Sequence, residues 1–504
     1  MTDKTKKAHE KIPSSDLAAT VEQMLKMAKG HKEIDEAEAY VSRNTLAMAR
    51  IETLRHGQRV IGPSPQQVVT MMTAEASVRV VVKGAVGTYS TNYFTADSLR
   101  AAVEGALANT RIMSTDPDYR SLAKPVDRKP PTLGHDNDIL GGTASDTLID
   151  RAQAALAELR STEKDIDIAG SVMALANEVS LANTNGIDLG ITIDTLTVAA
   201  LTAERMEGPN NASSGVGWST SRTLKGLDGT IAAKDALELA RLKPERLAVP
   251  EGDYSVILGP YSVADVLDNM LHSTIALSST YYGMCWLPSR PIKVGDRELR
   301  TPSVGDRVGN EKVTIIDDPT LEHAMGSRSY DDEGLPTKKA TIIEKGIYKG
   351  VLNNTYFAYL YGMEPTASGF RYGLRPGRLA SSSPDTHPTN LIVKPGDMTF
   401  DEMVAESKGP TLVIPRTWYT YPTRYGGRQF SSSNRATSYI VEKGELVSVA
   451  PNAFKMSGDM SLLLNGVEGI SKETKVGTTW AATSAYIVPW IKTTGFKVEK
   501  PREN

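Results

Sequence analysis

Residues 251–279, EGDYSVILGPYSVADVLDNMLHSTIALSS, decide how the rest of the chain is read. Residues 254–258 have the short apolar character of a buried strand, Gly259-Pro260 is a turn, and a helix follows. Ser262 and Asp265 form an S-x-x-D start of the capping-box kind. Val263, Val266, Leu267, Met270 and Leu271 recur at the spacing of one buried helix face. Asp265, Asp268, Asn269 and His272 share the opposite face. That face reads as solvated. A hard cation held by Asp265, Asp268 and His272 is the weaker alternative.

Composition bounds the classes open to the chain. Its 504 residues exceed one ordinary core and imply two or three domains. Apolar content of 40% and charged content of 23% are those of a globular protein. A net charge of −3 provides no electrostatic basis for direct nucleic-acid binding. A single cysteine, Cys285, excludes an internal disulfide and a cysteine-rich zinc site. No apolar run approaches the roughly 18–20 residues that span a bilayer, and the polar N-terminus lacks the apolar core of a signal peptide. The expectation is a soluble cytoplasmic protein with no membrane partner.

Residues 1–15 read as a flexible tail. Residues 16–125 read as an N-terminal α+β domain with a helix over 16–30, extended segments over 36–52, 67–74 and 76–82, and a Lys83-Gly84 turn into 85–90. Thr95 caps a helix whose Leu99, Val103, Ala106 and Leu107 face inward. The Pro- and Asp-rich residues 114–143 read as a linker or a strap over the surface. Residues 126–245 form a linker and a small α+β middle domain, and 250–496 a large β-rich domain.

No seven-residue helical window carries two histidines, so the HxxxH-type geometry of a zinc peptidase helix is missing; His272 stands alone and His323 and His387 fall in loops. Cys285 has no neighbour to activate it and reads as an inert wall residue. Arg371, Arg375 and Arg378 with Tyr372 read as a solvated loop, with an anion site as the alternative. In SRSYDDEGLPTKKATIIEKGIYKGVL, residues 327–352, an acidic turn at Asp331, Asp332 and Glu333 precedes a hairpin at Lys345-Gly346. Two readings stand level for that turn: carboxylates positioning a peptide amine or backbone N–H, or carboxylates satisfying the chain's own backbone donors.

Several stretches together resemble the TldD/PmbA family, also called gyrase modulators: AEAYVSRNTLAMARIE, SVRVVVKGAVGTYSTN, LANTNGIDLG, SSGVGWSTSRTL, VTIIDDP, the acidic-turn segment, HPTNLIVKPGD and YIVEKGELVSV. The resemblance covers residues 35–496. It implies an N-terminal α/β sandwich-like domain, a middle domain and a β-rich domain lining a channel in a dimer. It further implies a cytosolic metallopeptidase that trims unfolded or extended peptides. In the family's active subunit an H-E-x-x-x-H helix and a C-terminal cysteine bind zinc; the companion subunit lacks them.

Here the matching helix reads Ala264-Asp265-Val266-Leu267-Asp268-Asn269, and residues 471–485 contain no cysteine. The resemblance therefore implies the companion type, with no cofactor in this chain and zinc in a TldD-like partner. Ser327, Asp331, Glu333, Gly334 and Thr337, with Phe430, Ser431 and Ser432, are the candidates to line the peptide channel. Two alternatives stay open: a homodimeric peptide-binding regulator, and a hydrolase with a non-standard metal centre.

Overall fold

The computed structural model describes residues 14–56, 59–162, 166–206, 212–240, 249–373, 377–434, 436–450, 454–478 and 484–499. Residues 1–13 of the expected tail and 241–245 at the end of the expected middle domain lie outside them. The N-terminal half runs α1 (Ser14–Lys29), β1 (Glu36–His56), β2 (Arg59–Val82), β3 (Ala85–Thr91) and α2 (Ala96–Ile112). After the short turn α3 (Asn137–Leu140) the same succession returns: α4 (Ser145–Thr162), β4 (Ile166–Asn183), β5 (Thr192–Met206), β6 (Ala212–Ser221) and α5 (Gly229–Ala240). Thr95 caps α2 as expected, accepting from the Ser98 amide.

The two triplets of strands form one antiparallel sheet, ordered β3-β2-β1-β4-β5-β6. β1 and β4 pair from Glu38↔Asn183 to Glu52↔Ala169. The first and middle units, expected as separate domains, therefore share a sheet. The segments expected over 67–74 and 76–82 are also one strand, because Glu75 keeps its ladder partner Ser42.

Alternation assigns the two faces. Ala37, Ala39 and Val41 on β1, with Val78 and Val80 on β2, pack under α1 and α2. Val172, Ala174 and Ala176 on β4, with Ala199 and Leu201 on β5, pack under α4 and α5. The opposite face, with Tyr40, Leu175, Leu181, Leu196 and Val198, meets the C-terminal half through Met325, Leu335, Ala380 and Ala485.

The C-terminal half is built on a mixed sheet. β7 (Gly252–Leu258) lies between Ala485–Glu499, antiparallel, and Thr411–Ile414, parallel. Its core contains the whole buried face expected of the helix after β7: Val263, Val266, Leu267, Met270 and Leu271. Three Lys-Gly hairpin turns recur. Lys83, Lys345 and Lys443 have φ of 49°, 47° and 51°, each followed by a glycine at positive φ, the left-handed pair of a type I′ turn.

The strap over 114–143 ties the halves together. Asp116 accepts from Tyr356, Asp118 accepts from Tyr281 and pairs with Arg297, and the Arg128 guanidinium donates to Pro336 O. No helix among the described residues is long and apolar enough to cross a membrane.

Candidate functional site

The helix after β7, α6 (Pro260–Leu267), starts three residues earlier than its sequence suggests. Gly259 is its N-cap and Pro260 its first residue. Ser262 is not a cap: its hydroxyl donates to Ile414 O at 2.7 Å, pinning the helix to the neighbouring strand. A side chain at Gly259 would meet Pro415 backbone atoms at 2.8 Å, so only glycine fits this crossing. At Asp268 the helix widens into a π-helical turn, Asp268–His272, a form often found at functional sites.

The polar face of this segment is not solvated. The Asp265 carboxylate accepts from Thr417 Oγ1 at 2.8 Å, Thr420 Oγ1 at 2.5 Å and Asn269 Nδ2 at 3.1 Å. Burial pushes its pKa up, against the pull of the two threonine hydroxyls. The Tyr486 hydroxyl donates to Asp268. Its oxygen lies 3.1 Å from His272 Nδ1, and His272 Nε2 lies 3.0 Å from His387 Nδ1. His387 packs edge-on against Tyr372, and Arg378 lies over the Tyr372 ring at 4.8 Å. His272 is thus not alone: the fold sets it against a histidine 115 residues away in sequence.

These donors do not fit a zinc site of the family's type. Ala264, Val266 and Leu267 are buried apolar residues where ligands would stand, and the facing ring nitrogens of His272 and His387 bond to each other. Among the described residues no group of three or more His, Cys, Asp or Glu is placed to hold a metal. The Cys285 thiol donates to Thr274 O, and burial pushes its pKa up, in keeping with an inert wall residue.

The acidic turn has the backbone role, not the channel role. Ser327, Asp331, Asp332, Glu333 and Thr337 are all buried. Asp331 accepts from the amides of Glu333, Leu335 and Gly369, and Glu333 from the Thr355 amide. Ser327 and Thr337 donate to Leu321 O and Arg328 O. Gly334, at φ +86°, lies where a side chain would strike Ile187 of the N-terminal half. Burial raises the pKa of Asp331 and of Glu333. These candidates form a seam between the halves, since each polar atom named here already serves the backbone.

Arg371 and Arg378 are likewise not solvated. They are buried and pair with Glu38 at 2.6 Å and Asp332 at 2.8 Å. Arg375 lies outside the described residues. Phe430–Ser432 belongs to a strand, Gln429–Asn434, rather than a loop. Phe430 is in the core, Ser432 bonds Thr420, and Ser431 is exposed.

Between the two halves, a cleft of about 370 Å³ opens over Asp265. Its floor comes from β4 and β5, at Gly170, Val198 and Ala200, and its rim from Trp218, Tyr261 and Trp418. Sequence reading missed these aromatics, along with Tyr486, Thr417 and Thr420. The aromatic density of TWYTYP, residues 417–422, was the available signal.

Residues 251–500 match the family described as the PmbA/TldA metallopeptidase C-terminal domain. A metalloprotease of Methanocaldococcus jannaschii is 30% identical over 258 residues, 51% of each chain. A metalloprotease TldD homologue of Haemophilus influenzae is 26% identical over 259 residues, 49% of this chain and 46% of that one. The chain thus spans about half the length of the curated relatives it matches. TldE from Thermococcus kodakarensis shares the fold, with a TM-score of 0.79 at 19% identity, covering 95% of this chain and 100% of that one. Fold, strand–helix framework and relatives together define a metallopeptidase-like α+β protein. The chain belongs to the TldD/PmbA family.

Proposed function

We propose that this chain is a non-catalytic companion subunit: it holds unfolded or extended peptides for a zinc-bearing, TldD-like partner in the cytoplasm, and carries no cofactor itself. The observation that carries the reading is the closed polar network on the helix after β7. Asp265, Asp268 and His272 stand where the family's chemistry would be, and each is engaged by Thr417, Thr420, Tyr486 or His387. Nothing in that network resembles a ligand pair with a base beside it, which a metal-activated water needs.

The strand Thr417–Pro422 supports a peptide-holding role. Among the described residues it pairs only with Gln429–Asn434, so its other edge has no strand partner there and suits an extended chain added as a strand. Its Trp418 also lines the cleft.

The test is a peptide-cleavage assay of the purified chain alone and mixed with its zinc-bearing homologue from the same source, with co-purification of the pair. Cleavage by the mixture only, lost with chelator, is the expected result. Chelator-sensitive cleavage by this chain alone overturns the proposal. A stable homodimer that binds peptides and ignores the homologue would favour the regulator alternative.

A further inference from the structure

We infer that the cleft over Asp265 is a side-chain subsite for one large apolar residue, aromatic or long aliphatic, of a bound extended peptide. The inference rests on the peptide-holding reading and adds a selectivity to it. At about 370 Å³ the cleft falls in the roughly 300–1,000 Å³ range of sites that enclose a ligand. Its walls are apolar: Gly170, Val198 and Ala200 below, with the Trp218 and Trp418 indoles and the Tyr261 ring at the sides.

The charges lining it identify the occupant. Among the described residues there are two, Asp265 and Arg416, of opposite sign. Asp265 is held by Thr417, Thr420 and Asn269, and Arg416 lies over the Trp418 ring with its guanidinium carbon 4.1 Å from the ring centroid. Neither sign dominates the described lining, and its carboxylate already has three donors. A basic side chain entering it would meet a carboxylate already bonded by three donors, and an acidic one would have to draw Arg416 away from the Trp418 ring, whereas an apolar one exchanges water for aromatic surface. Tyr261 is fixed for this role: its hydroxyl donates to Asp235 at 3.0 Å and accepts from the Trp218 amide at 3.1 Å, while its ring meets the Trp218 indole edge-on at 4.7 Å.

The cleft also adjoins the open-edged strand. Thr417 and Trp418 belong both to its lining and to Thr417–Pro422, so a peptide laid along that strand passes the cleft mouth. Side chains of an extended peptide alternate in direction, so one position is read and its neighbours point away.

The experiment measures fluorescence polarisation of two labelled decapeptides that differ at one central position, phenylalanine or serine, on the purified full chain. At least tenfold tighter binding of the phenylalanine peptide is expected. Ala200→Leu, which fills the floor, and Trp418→Ala, which removes a wall, should each reduce the preference to less than threefold, with circular dichroism and melting confirming that they fold. Equal affinity of the wild-type chain for both peptides, or a preference intact in both folded variants, overturns the subsite and leaves peptide holding standing. No binding of either peptide, with or without the zinc-bearing homologue, overturns both.

Discussion

His272 Nε2 and His387 Nδ1 face each other at 3.0 Å, and only one proton fits between them. On its other side the His272 ring meets the Tyr486 hydroxyl, which donates to Asp268. Burial first, then the neighbouring His272 and Arg378, holds the His387 pKa down to about 3. An unfolded histidine titrates near 6.5, so between pH 6.5 and about 3 the unfolded chain binds a proton that the folded chain refuses. Stability must then fall as pH drops through this window, by at most about 1.4 kcal/mol per pH unit for this group. Denaturant melts of wild type and His387→Asn at pH 7 and pH 5.5 should show wild type losing about 1 kcal/mol more than the variant. Parallel losses would mean that His387 protonates freely in the fold.

Asp332 joins the two halves of the chain. Its carboxylate accepts from Tyr40, from the Arg371 amide and from the Arg378 guanidinium, and all of these groups are buried. Removing one member of a buried ion pair leaves the other uncompensated and costs about 3–5 kcal/mol. Asp332→Ala should lower stability by that order, read from the denaturant midpoint. A channel-lining acidic turn would instead show altered peptide affinity at unchanged stability.

Lys443 occupies a left-handed conformation at φ 51° in the turn before Gly444. That conformation costs a side chain about 1–2 kcal/mol, less for asparagine, whose short polar group is tolerated there. Lys443→Asn should raise stability by about 0.5 kcal/mol in thermal or denaturant melts.

A small apolar void of about 50 Å³ lies beneath α6, lined by Val263, Val266, Val313 and Val467 among others. Missing contacts cost about 24 cal/mol per Å³, so the void accounts for about 1 kcal/mol. Val467→Ile adds one methyl group towards it. The expected gain is about 0.5 kcal/mol, and a loss would show that the neighbouring side chains cannot shift to admit the methyl.

The strands, helices and buried faces were largely legible because each depends on local periodicity. Leu99, Val103 and Ala106 face the core, and Val263, Val266 and Met270 do the same, because a helix repeats every 3.6 residues whatever surrounds it. Lys83-Gly84 and Lys345-Gly346 were readable as turns for the same local reason. The candidate site was less legible. Asp265 and His272 have the composition of a wet surface, and their sequence neighbours say nothing of Thr417, Tyr486 or His387. The acidic turn was ambiguous because a carboxylate that binds a peptide amide and one that binds its own backbone are chemically the same.

By itself the sequence determined an α+β chain with a strand–helix framework at residues 251–272 and no pair of histidines on that helix. Only the tertiary structure decided that β1 and β4 join two units into one sheet, that the acidic turn is a seam, and that a cleft opens over Asp265. The physical reason is range. Helical and strand periodicity acts over a few residues, whereas burial and hydrogen-bond pairing are set by segments hundreds of residues apart that only the folded chain brings together. The helix after β7 shows both: its apolar face was written in its own spacing, and its polar face acquired a meaning only when His387 and Tyr486 closed on it.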